Sequence, residues 1–218
     1  YGCEKAKTLI GKDLGGIPPL LKVMTTPSLQ ARHQSAAALA SLVSGVQKCR
    51  SLFQSNDGVA IAVTTMKEIP PSEQAKHETL LLLGAVSRTG AMAKQLLDLK
   101  VLPLLIELAT QLEYAAKLRG SASGVIAGLS SHATLIPSLV ESSIVQVCAD
   151  ILKNDPLPEQ DTKEPVADHA LEILSHIALD ETNAAWATSP IDVSFAILIS
   201  KRARQLTARE QAASSLSK

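Results

Sequence analysis

Aromatic residues are nearly absent: one Trp, two Tyr and two Phe in 218 positions. Surfaces that stack on nucleic-acid bases need such rings. The balance of 21 Lys+Arg against 21 Asp+Glu also removes any overall attraction for a phosphate backbone. No nucleic-acid partner is expected. Cysteine is scarce too. Cys3, Cys49 and Cys148 are odd in number and far apart. They support neither a disulfide framework nor a C-x-x-C metal site, and they predict a reducing compartment. No Asn-x-Ser/Thr sequon occurs. No apolar run reaches the roughly 18–20 residues that span a bilayer. The best stretch, Val125 to Val140, is broken by Ser130, Ser131, His132 and Pro137, so no membrane insertion is expected. The polar opening Tyr1-Gly2-Cys3-Glu4-Lys5 is no signal peptide. The missing initial Met predicts a segment of something longer.

Catalytic signatures are missing as well. Gly120-Ser121-Ala122-Ser123-Gly124 comes near G-x-S-x-G, but Ala122 stands where the nucleophile belongs, inside an expected helix. Gly15-Gly16 lacks the remainder of a phosphate loop. Neither enzymatic activity nor a cofactor is expected.

What the chain does have is 46% hydrophobic residues, typical of a folded protein, and a repeat. A short amphipathic segment recurs at Leu9, Leu52, Leu96, Leu139 and Trp186, with steps of 43, 44, 43 and 47 residues. A second apolar segment follows a turn each time, as in Gly15-Gly16-Ile17-Pro18-Pro19-Leu20-Leu21 and Lys100-Val101-Leu102-Pro103. A third, rich in Ala, Leu and Gly, ends at Leu42, Val86, Leu129 and Ile177, and begins again at Thr207–Leu216. No stretch alternates like a half-buried strand. The expectation is all-α. A unit of about 43 residues cannot bury its own apolar faces, so copies must stack and share a core. Trp186 replaces an apolar position of the short helix and is expected in the core.

The unit resembles an armadillo repeat, with HEAT repeats the close alternative. Gly15 to Met24 resembles the armadillo turn and second helix, and Gln34 to Leu42 its third helix. The resemblance implies a right-handed α-solenoid of stacked three-helix repeats over 1–218. The approximate units are 1–14 (partial), 15–57, 58–100, 101–142, 143–190 and 191–218 (partial). It also implies that third helices line a concave groove for extended peptides or partner domains. Nuclear-import adaptors of this family hold a peptide with a Trp and, four residues later, an Asn on each third helix. Here the Trp positions are Ala37, Leu81, Gly124 and Glu172, and the Asn positions are Ser41, Ala85, Gly128 and His176. Neither residue is kept.

Arg32, Lys76 and Arg119 each lie ten residues before Leu42, Val86 and Leu129. Stacking would set them in a row with steps of about 10 Å. Such a row suits an acidic peptide; ordinary solvated charge is the competing reading. Gln34, Ser41 and Glu78 share the expected groove face. His169, Glu172 and His176 fall on one side of a helix. Residues seven apart are about 10.5 Å apart along the axis, too far for one ion, so a polar groove patch is expected and no metal. The expected function is a non-enzymatic scaffold or adaptor that binds a partner protein or extended, acidic peptide in its groove. Alternatives are a structural subunit of a ciliary, cytoskeletal or trafficking complex, and a nuclear transport adaptor. The expected location is intracellular and cytoplasmic, with nucleus or cilium as alternatives.

Overall fold

The computed structural model describes residues 4–70, 74–154 and 166–178. The expected segments around Trp186, Ile191 and Thr207–Leu216 lie outside these residues. Among the described residues there are helices and turns and no strand.

Three kinds of helix recur in order. The first kind comprises α1 (Glu4–Thr8), which continues as one wider turn over Leu9–Asp13, then α4 (Gln47–Ser55), α7 (Gly90–Asp98) and α10 (Ile136–Glu141). The second comprises α2 (Ile17–Met24), α5 (Gly58–Glu68), α8 (Leu102–Thr110) and α11 (Ile144–Asn154). The third comprises α3 (Leu29–Gly45), α6 (Gln74–Ser87), α9 (Ala116–Ser130) and α12 (Val166–Ala178). Pro stands in the first turn of α2, α8 and α10, where its missing N–H would have had no helical partner. Ser28 caps α3 by accepting from the Ala31 N–H at 3.3 Å.

The turn into each second helix needs a left-handed residue. Gly15, Asp57, Lys100 and Ser143 take it, with φ of 61, 54, 52 and 60°. They stand 42, 43 and 43 residues apart, so the backbone repeats more strictly than the residue types. Only the first unit uses glycine, the residue that takes this conformation without strain.

The third helices form the spine. The most extensive packing between elements joins α3 to α6, α6 to α9, and α9 to α12. Eleven of the fifteen residues of α9 are buried, because neighbours cover both of its sides and α8 packs behind it. Ile17, Leu39, Phe53, Leu83, Leu105, Ile126 and Ile177 belong to one apolar core that runs through successive units. Each such side chain contributes roughly 1.5–3 kcal/mol on full burial. No single helix of the described residues is long and apolar enough to cross a membrane.

A candidate binding groove along the third helices

The third helices leave an open cavity of about 1270 Å³ along one side. Four of them contribute: Ser44 from α3, His77 to Ala85 from α6 with Arg88 just past its end, Ala116 to Gly124 from α9, and His169 from α12. Its floor is apolar and small, with Leu80, Leu81, Gly84, Gly120 and Gly124. Its charge is one-sided. Arg50, Arg88 and Lys117 line it, and no carboxylate does among the described lining residues. Arg50 is anchored, donating to Gln47 Oε1 at 2.8 and 3.0 Å and to the Val43 carbonyl at 3.3 Å. Arg88 pairs with Glu172 at 3.4 Å across to α12, with both side chains partly exposed.

The structure places the expected basic row elsewhere. Arg32 pairs with Glu68 at 3.1 Å and donates from Nε to the Thr26 carbonyl at 2.6 Å. Lys76 is buried; desolvation pushes its pKa down, partly offset by Glu107 on α8. Arg119 is buried beside a cavity of about 100 Å³ that Asp150 of α11 also lines. Arg32 thus reaches Glu68 at the end of α5, Lys76 feels Glu107 of α8, and Arg119 shares its small cavity with Asp150 of α11. None lines the large cavity. The sequence spacing found the row but not its direction. Ala167, which interrupts the row in α12, is buried.

Gln34 and Ser41 are exposed but lie outside the cavity, as does Glu78, which accepts from Gln74 at 2.9 Å. His169, Glu172 and His176 do not converge. His169 Nδ1 meets Ser123 Oγ at 2.9 Å, His176 Nδ1 meets Ser130 Oγ at 2.8 Å, and Glu172 is the partner of Arg88. Of the three, His169 lines the cavity.

These histidines belong to a wider pattern. His77 Nδ1 meets Ser121 Oγ at 2.8 Å, joining α6 to α9. Each serine hydroxyl already donates to a carbonyl on its own helix: Ser121 to Lys117, Ser123 to Gly120 and Ser130 to Ala127. A hydroxyl has one hydrogen, so where the serine donates to that carbonyl the imidazole is the donor, from Nδ1. His132 donates from Nε2, which meets the Ser87 carbonyl at 2.9 Å, because a carbonyl only accepts. Histidine thus stitches α9 to both neighbours. A periodic signal existed: His33, His77 and His169 stand 44 and 92 residues apart, one repeat and about two.

Burial is the main cause that lowers the pKa of both His77 and His169. For His77, Lys117 adds to it; for His169, Glu172 opposes it and Arg88 adds to it. The unfolded chain therefore binds these protons first as pH falls through about 6.5. Stability is held above that pH and lost below it, until the folded histidines also titrate. The expected result is a lower urea midpoint at pH 5.5 than at 7.5. The double variant His77→Gln, His169→Gln should show a smaller drop. Equal drops would rule out these two groups as the cause.

No family model and no curated relative matches the chain. Solved structures do. An engineered protein superposes with a TM-score of 0.72 at 19% identity, over 95% of this chain and 85% of that one. A designed armadillo repeat protein in complex with the peptide (KR)4 gives 0.70 at 17% identity, over 91% and 84%. Computationally designed armadillo repeat proteins for modular peptide recognition give 0.63 at 15%, over 75% and 65%. The chain has an armadillo-like repeat fold: an all-α solenoid of stacked helical units.

Proposed function

We propose that the chain is a non-enzymatic interaction scaffold that holds an extended, acidic segment of a partner protein along its third helices. The observation that carries this is the groove: an open apolar floor with three lining cations and no described lining carboxylate. The fold supports it at a coarser level, since a designed protein of the same fold is in complex with a peptide. That peptide, (KR)4, is basic, whereas the one-sided charge here suits the opposite sign. An extended segment crossing four third helices at steps of about 10 Å spans roughly 30 Å, about nine residues. The proposal includes an intracellular, cytoplasmic location, on the ground of the cysteine pattern.

The test is fluorescence anisotropy with labelled octaglutamate and (KR)4. Octaglutamate is expected to bind more tightly, and less so at high salt. Reversing the two exposed rim cations, Arg88→Glu with Lys117→Glu, should weaken octaglutamate by about 10–30-fold, near 1.5–2 kcal/mol. Tighter binding of (KR)4, or no effect of the reversal, would overturn the acidic groove.

A second reading has an observation of its own. Leu9, Ile10, Leu14 and Leu29 are exposed at 49, 46, 70 and 37%, all between α1 and the first residue of α3. Several exposed apolar residues in one short stretch of chain favour a contact, which fits a structural subunit of a ciliary, cytoskeletal or trafficking complex.

A further inference from the structure

Resting on the acidic-groove reading, we propose that the middle of the groove is a recess for one bulky apolar side chain, an aromatic ring or a leucine, of the bound acidic segment. Leu81 is 43% exposed although it sits in the middle of the array. The other exposed large apolar residues among those described lie between α1 and the first residue of α3, or in the loop at Leu112. Leu81 lies on the cavity floor beside Leu80. Gly84 follows less than one helical turn later, and a Cβ built there meets nothing within 4 Å. Gly120 and Gly124 of α9 line the same cavity.

Packing does not explain Gly84. Gly128 is different, because a Cβ there would overlap Ser87 Oγ. Glycine inside a helix is less stable than alanine, so a position with free space around it gains from a side chain. What Gly84 supplies is room in the cavity that the exposed leucine also lines. Arg88 lies about one turn beyond Gly84, roughly 6 Å along the axis, and Lys117 lies on the facing helix. An apolar anchor flanked by acidic residues matches that layout: the anchor fills the recess and the carboxylates meet the rim. The rim charges set the sign of the segment, and the recess selects one position within it.

The probes are nine-residue peptides of Glu and Gly with Trp, Leu or Ala at the centre, titrated into the whole chain. The Trp and Leu peptides are expected to bind about tenfold more tightly than the Ala peptide. Gly84→Leu fills the recess, and the ratio should fall below about twofold. Leu81→Ser removes the apolar floor at an already exposed position and should lower the ratio as well. Helical circular dichroism checks that each variant is folded; should Gly84→Leu fail that check, Leu81→Ser alone decides. Trp and Ala peptides of equal affinity, or a tenfold ratio kept in a folded variant, would overturn the recess. Equal affinities that still respond to Arg88→Glu with Lys117→Glu would leave the acidic groove standing. Binding by none of the peptides would overturn both.

Discussion

Phe53→Ala is expected to lower the stability of the chain by about 3–5 kcal/mol, measured by urea unfolding followed at 222 nm. Phe53 is fully buried on α4, in a chain that has only two Phe. Its ring lies against the start of α5 so closely that a Cβ on Gly58 would stand 2.6 Å from Cδ2 and Cε2. Neighbours of that ring are held by regular helices and cannot collapse into the space it leaves. The loss also has a direction in this architecture. Stability in a stacked array is close to a sum of unit terms and interfaces between neighbours. A cavity between α4 and α5 weakens the coupling of the first units to the rest. The expected transition is therefore broader than that of the parent chain, with the amino-terminal helices unfolding first. A loss under about 1.5 kcal/mol with an unchanged transition width would show that α4 carries little of the coupling.

The repeat was legible because stacking imposes one spacing on every unit. Val86, Leu129 and Ile177 stand one residue before the ends of their third helices, and Leu42 stands three before, close to where the ladder of apolar segments put them. The order of short, second and third helix followed from the same ladder. The left-handed turns were less visible. Glycine marks only Gly15, while Asp57, Lys100 and Ser143 take the same conformation because the surrounding helices dictate it.

The groove was harder to read than the fold. Spacing places residues on a common row, but not on a given face of a helix with neighbours on several sides. Arg32, Lys76 and Arg119 are such a row, and they turn to the second helices. The residues that line the cavity, such as Leu81, Gly84 and Arg88, look unremarkable as letters. Their importance comes from what neighbouring helices leave uncovered. The histidine stitches were hidden for a related reason: each partner lies about one repeat away, 44 residues for His77 and Ser121 and 46 for His169 and Ser123. A column of histidines at the repeat period was the available sign.

Glycines carry the second large effect, and they separate a packing role from a binding role. Gly128→Leu is expected to cost about 2–3 kcal/mol. At this position a Cβ would overlap Ser87 Oγ, stand 3.0 Å from Ser87 Cβ and stand 3.4 Å from Arg88 Cγ. The hydroxyl can turn, although it would give up its 3.0 Å bond to the Gly84 carbonyl. Ser87 Cβ cannot turn, since it is fixed to the backbone at the end of α6. A leucine there must push α6 and α9 apart, which also strains the bond from His132 Nε2 to the Ser87 carbonyl. Overpacking of this kind costs about 3 kcal/mol, and the better helix propensity of leucine returns somewhat under 1 kcal/mol. At Gly84 the same bookkeeping has the opposite sign: with no clash to set against the propensity, Gly84→Ala should raise stability by up to about 1 kcal/mol. Paired thermal unfolding of the two variants checks both. A Gly128 variant as stable as the parent would mean that α6 and α9 do not approach this closely, and the groove they wall would then be wider than described.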